Sequence, residues 1–339
     1  MVKQNARILA CIAQTALIFA ACSGDDAGDG SATATTTSTG GSSTSTTGEE
    51  TSTSTSTTDA STSTSTSTST STTTSTTSPE TTTDGTTTGG MSADAFRFTE
   101  MYVRDPHFFI VPIIGCEDIT DKGIVTIDSI NQQFNDAITM DTSDPPDGKL
   151  NMNFLLLFRP LDQAASGGAF DFATGDCSAP IDTTICDIKE GTSLSNGTYT
   201  NMDGVCLEPV MGELSPADYS PKPGSTNGPC FAGDPLTFTL DLGDFQLPFV
   251  DAEIAAQYVG DPADGMVEGL MRGFLTEEDA MNTTLPDDIP VLGGAPIASL
   301  LPGGEGCCAK HDDRDMHMGI SGWWFYIDFK AARVPYTGE

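Results

Sequence analysis

From Gly24 to about Gly90 the chain is built almost entirely of Thr and Ser, in runs such as the strict Ser-Thr alternation of residues 61 to 68, and it holds no Lys or Arg. Such a segment has too little apolar surface to offset the entropy lost on ordering it. Whatever core the protein has must therefore come from residue 93 onward. The Thr/Ser stretch reads as a tether, with a root-mean-square span of roughly 45 Å for a flexible coil of this length. Its hydroxyl density suits O-linked sugars.

Before the tether, Lys3 and Arg7 give a basic start to a short apolar run, Ile8 to Ala21, that is too brief to cross a bilayer. The run ends in Phe19-Ala20-Ala21-Cys22, with two small residues before a cysteine. This resembles the lipobox of bacterial lipoproteins, and the stalk behind it resembles those of stalked Gram-negative lipoproteins. The resemblance implies a signal peptide of residues 1–21 and a lipidated Cys22 opening a tether of residues 22–92. It further implies sorting to the outer membrane, because Ser23 rather than Asp follows the cysteine. Several acyl chains anchor stably where one would be marginal, at about 0.8 kcal/mol for each buried methylene.

Residues 93–339 are enough for one large domain with its own core. The chain carries 48 Asp and Glu against 14 Lys and Arg, a net charge of −34. This balance argues against nucleic acid as a partner, since phosphate contacts need Lys and Arg. It fits solubility or a salty medium, and also divalent cations.

Hydrophobic periodicity in this region is mostly two. Leu236-Phe238-Leu240-Leu242, Ala252-Ile254-Ala256-Tyr258 and Trp323-Phe325-Ile327-Phe329-Ala331 each read as a strand with one buried face. Residues 150–158 begin alternating and turn continuously apolar, as a strand covered on both faces does. Asp261-Pro262 and Asp264-Gly265 supply turn chemistry, so residues 250–275 read as a hairpin. Helical signals are two: Asp128 or Ser129 capping a face of Ile130, Phe134 and Ile138, and a capping box at Thr276 to Asp279. These signals predict a mainly-β, sandwich-like single domain with one or two short helices. Trp323 continues an apolar face and reads as core, whereas Trp324, Tyr326 and Lys330 share the opposite face. An exposed aromatic pair there gives thin support for a sugar site.

Outside the cytoplasm, Cys116, Cys177, Cys186, Cys206, Cys230, Cys307 and Cys308 read as a disulfide framework, because no CxxC pair of the zinc-ribbon kind is present. Seven is odd, and choosing the unpaired cysteine and then pairing the other six allows about 105 arrangements. Cys177 with Cys186 and Cys206 with Cys230 are the pairs that would close short turn-rich loops. Cys307 and Cys308 are expected to tie the loop before the last strand to two other parts of the domain.

Two clusters have metal-ligand chemistry. His311, Asp313, Asp315 and His317 bring two imidazoles and carboxylates within seven residues, suited to a transition metal, although a spacing of six between the histidines matches no helix face. Asp141, Asp144, Asp147 and Asn151 crowd a loop in which Asp147 to Asn151 resembles the middle of an EF-hand calcium loop. Ser143 and Pro145 stand where that loop has its first ligands and Phe154 where it has a bidentate Glu. A solvated turn accounts for the same residues. HExxH, GxSxG and a phosphate-binding loop are absent. The sequence thus points to a lipid-anchored envelope protein displaying a β-rich binding or structural domain toward an envelope or extracellular ligand. The alternative is a metal-dependent hydrolase on the His311–His317 cluster, with His107 as a remote contributor.

Overall fold

The computed structural model describes residues 93–111, 115–124, 128–242, 246–287, 293–305 and 311–338. Mainly β with two short helices, the domain is as its periodicity predicts. Its main sheet closes on itself. Eight strands follow one another in chain order around the ring, every neighbour antiparallel: β1 Asp94–Asp105, β2 Phe154–Phe158, β3 Gly167–Cys177, β4 Ser195–Met202, β5 Cys230–Gly233, β6 Gln246–Gly260, β7 Ala263–Thr276 and β8 Ile320–Val334. β8 then pairs with β1, from Ala95 opposite Val334 to Asp105 opposite Tyr326, which completes an up-and-down barrel. The two facing layers expected from the sequence are opposite walls of this one sheet. Short strands extend it at Cys186–Ile188, Leu236–Asp241 and Asp315–His317.

Alternation explains the interior. Phe96 and Phe98 of β1, Phe154 and Phe158 of β2, Phe170 and Phe172 of β3, and Phe325 and Phe329 of β8 all belong to one buried cluster. Their rings meet edge-to-face or stacked, Phe98 lying on Phe329 at 4.2 Å between centroids. Gly269 of β7 makes room for this packing, since a Cβ there would stand 2.7 Å from the Phe329 ring. Asp261-Pro262 is the β6–β7 turn, but Asp264-Gly265 lies within β7, paired with β6 and β8. Turn-type residues there sit on strand because both neighbours supply hydrogen bonds.

The outward face is covered in patches. Trp324 and Tyr326 are buried, not exposed, because the segment after β4 lies over them, with Leu207, Leu214 and Cys206 packed against Leu270, Phe274 and Trp324. The exposed aromatic pair expected from alternation therefore does not exist. Cys206–Cys230 pins this segment to the start of β5, with Cα atoms 6.6 Å apart. Cys177–Cys186 joins β3 to its short partner strand at a Cα separation of 4.2 Å. Cys116 is also disulfide-bonded. The expected roles of Cys307 and Cys308 lie outside the described residues, as does Cys22.

Helix α1, Ile130–Thr139, is capped by Ser129, whose hydroxyl accepts from the Gln132 N–H at 3.2 Å. Helix α2, Glu277–Asn282, is capped by Thr276, which accepts from the Asp279 N–H at 3.0 Å. α1 lies along β1 beyond the point where β2 ends. There Asn131 and Asn135, one helical turn apart, take the place of a strand. Asn131 accepts from the Val103 N–H at 2.7 Å and donates to its carbonyl at 2.9 Å, and Asn135 does the same for Met101 at 3.0 and 2.7 Å. Fully buried Arg97 donates to the last-turn carbonyl of Ile138 at 2.9 Å and to Asn153 at 3.1 Å; burial lowers its pKa to about 10, so it stays cationic at neutral pH.

Candidate functional site

Among the described residues, several titratable side chains come together where β1 ends. A bulge between Val103 and Asp105 breaks the alternation, and Asp105 is buried beside Tyr326. Further segments arrive there: residues 107–111 with 115–121, 213–219 and 311–315. Ser215 binds two acids at once, its N–H donating to Asp105 at 2.7 Å and its hydroxyl to Asp313 at 2.7 Å. Tyr219 donates its hydroxyl to Asp313 at 2.8 Å and accepts from His311 Nε2 at 2.7 Å. Its ring lies flat on the His107 imidazole, 3.7 Å away and 7° from parallel.

His107 is buried and oriented by Asp118, whose Oδ2 is 2.6 Å from its Nδ1. Its Nε2 makes no hydrogen bond and lies 3.8 Å from Asp121. Burial alone would raise the Asp118 carboxyl, yet the bonds from His107 and from the Thr120 N–H outweigh it and hold the group below its usual range. The reverse happens at Asp105, which is pushed up to about 7 by burial and by repulsion from Asp313 and Asp315, against the Ser215 N–H. Asp315 is also pushed up to about 7, by burial first and then by Glu213 beside it. Burial and the neighbouring Asp313 raise Tyr219, which stays a neutral hydroxyl. The result is a cluster of hydroxyls, imidazoles and carboxylates in which Asp105 and Asp315 titrate near neutrality.

The sequence cluster of residues 311–317 is divided by this geometry. His311 and Asp313 join the site through Tyr219, and Asp315 turns to Glu213. His317 goes elsewhere, its Nε2 2.6 Å from Asp251 and its ring against Trp324 and Phe274. Among the described residues, no three His, Cys, Asp or Glu side chains stand together where they could share a metal ion.

The aspartate loop closes on its own backbone. Asp141 accepts from the N–H groups of Ser143 at 3.0 Å and Gly148 at 2.7 Å, Asp147 accepts from Lys149 at 2.9 Å, and Asn151 accepts from Thr142 at 2.6 Å. Asp144 lies exposed in the same loop. The bonds from Ser143 and Lys149 are the turn-forming bonds of Asx residues, and those from Gly148 and Thr142 tie the loop across its length. A shallow hollow of about 370 Å³ lined by Thr239, Gln246, Pro248, Thr283 and Thr284 contains none of the site residues.

Asp105, Asp118, Ser215 and Tyr219 carry no motif that singles them out. The one signal was Asp105-Pro106-His107 directly after an alternating run, a chain leaving its strand with an acid and an imidazole in hand. Comparison of the chain with protein-family models, curated proteins and solved structures gives no match.

Proposed function

We propose that this protein is a lipid-anchored envelope component that carries a rigid recognition barrel on a Thr/Ser tether and takes its ligand on the outside of the barrel. The lipobox-like Phe19 to Cys22 and the low-complexity stretch behind it support the attachment. The observation that carries the recognition half is the occupied interior, where phenylalanines of β1, β2, β3 and β8 fill the space in which an open barrel holds a small ligand. Polarity also argues for attachment by lipid rather than by the barrel wall. Membrane barrels are apolar outside and polar within, whereas here Glu253 with Arg272, Arg104 with Asp328 and Lys330 with Glu100 form ion pairs on the outer wall. A ligand therefore meets the loops, where Tyr219 and His311, held by the buried Asp313, offer partly exposed hydrogen-bonding side chains.

The test has two arms. Cys22→Ala should move the protein from the detergent phase to the aqueous phase, and retention in detergent would end the anchor reading. The released protein should then sediment with isolated envelope fractions, and Tyr219→Phe should reduce that binding several-fold while the melting curve stays cooperative. Sedimentation with no fraction, or undiminished binding by Tyr219→Phe, would end the recognition reading. The hydrolase alternative would need His311 and His317 on one ion, and in this structure they bond to Tyr219 and Asp251 respectively.

A further inference from the structure

We infer that the hairpin at residues 315–320 binds a soft monovalent metal ion, Cu(I), through His317 and Met318, with Met316 as an auxiliary donor. The strand Asp315–His317 runs antiparallel into β8 through a two-residue turn, with Met318 at φ 52° and Gly319 at φ 84°. Three apolar side chains are nevertheless left in water on this short element: Met316 is 66% exposed, Met318 84% and Ile320 52%. Packing does not account for two thioethers there, and a turn that needs positive φ takes Asn or Gly more readily than Met.

What the two methionines flank is an imidazole prepared to act as a ligand. Asp251 sits in a bulge of β6, between Val250 and Glu253, with φ 46°. Bulges re-aim side chains, and this one presents the Asp251 carboxylate to His317 Nε2 at 2.6 Å. A carboxylate accepts, so Nε2 carries the proton and Nδ1 carries the lone pair. Metal-binding histidines are oriented in this way, by a carboxylate on the nitrogen opposite the metal. Trp324, 4.9 Å from the imidazole between ring centroids, and Phe274 at 5.1 Å hold the ring in place.

Ligand softness selects the ion. Thioethers favour Cu(I), whereas calcium and magnesium take oxygen donors and zinc sites are built from thiolate, imidazole and carboxylate rather than thioether. Strand alternation sends Met316 to the face opposite His317, whereas Met318 stands in the turn beyond the strand, outside that alternation, so we take His317 and Met318 as the primary pair. Among the described residues the hairpin strand is the last of its sheet, and the long Met316 side chain is largely exposed at that edge. Met has three rotatable bonds and a polarizable sulfur, suited to closing on an ion that arrives.

The experiment uses the detergent-solubilised full chain with any free thiol blocked by N-ethylmaleimide, titrated anaerobically with Cu(I) buffered by bicinchoninate. The expected result is one Cu(I) withdrawn per chain, with quenching of tryptophan emission from Trp324. His317→Ala and Met318→Leu should each weaken binding by about tenfold or more, and Met316→Leu by less. Met211, 97% exposed in another loop, is the control, and Met211→Leu should leave binding intact. No copper withdrawn, His317→Ala and Met318→Leu binding like the native chain, or a loss in Met211→Leu equal to theirs would each overturn the assignment. Zn²⁺ bound as tightly as Cu(I) would overturn the choice of ion. Met318 lies in solvent, so its substitution leaves the fold intact and any loss reports the site.

Discussion

At the scale of single residues, the protein places like charges where they must share protons. Asp105 and Asp315 each have a folded pKa of about 7, against roughly 4 in an unfolded chain. Between those values the folded state holds more protons than the unfolded one. Their stabilisation is therefore fully present below about pH 4 and is lost as the pH rises through about 7. Asp118, Asp312 and Glu277 are shifted downward and act oppositely, but their effect is exhausted in the acid range. Thermal melts should thus show a melting temperature that falls from about pH 5.5 to about pH 8.5, and Asp105→Asn should flatten the slope. A melting temperature rising across that window would contradict the assignment. Half of this site is legible in the sequence: His311 and Asp313 stand in a conspicuous polar run. Ser215 and Asp105, 110 positions apart, are not, because only the route of a loop across the barrel brings them together.

Among elements, α1 has the least expected role. Its capping residue and its Ile130–Phe134–Ile138 stripe follow directly from sequence, since both are local patterns. Asn131 and Asn135 look like solvent-facing helix residues, and nothing in the sequence says that β2 stops short and leaves the β1 edge for them. Two primary amides one turn apart repeat the donor and acceptor of a backbone, so they complete a ladder where a strand is missing. Asn131→Ala leaves the Val103 N–H and carbonyl unpaired in a buried place and should cost about 1–3 kcal/mol in urea unfolding. Asn131→Asp should cost at least as much, because a carboxylate restores the acceptor but faces the Val103 carbonyl without a donor. Equal stability of either variant and the native chain would show that water replaces the amide. The same limit explains Trp324 and Tyr326: strand alternation predicts which face a residue takes, and says nothing about a loop that later covers that face.

For the molecule as a whole, the clamp that matters is Cys206–Cys230, which holds the covering segment against Leu270, Phe274 and Trp324. Replacing both cysteines by Ala should lower stability by about 2–5 kcal/mol and raise binding of a hydrophobic dye, while the far-ultraviolet signature of the barrel persists. Unchanged dye binding would mean that side-chain packing alone retains the segment. The barrel class itself was only partly legible. Alternating strands and turns announce a mainly-β domain, but closure depends on β1 meeting β8, a pairing no local pattern encodes. That pairing also sets the tempo of folding. Asp94 and Arg333, 239 positions apart, form an ion pair at the seam, while β6 and β7 meet through a turn of two residues. Contacts so distant are slow to form, because the entropy of closing the intervening chain is lost before any of them stabilises the fold. The β6–β7 hairpin can zip early, but the aromatic interior stays open to water until Trp323 to Val334 is in place. The closing step is therefore the interval in which the chain is most prone to aggregate.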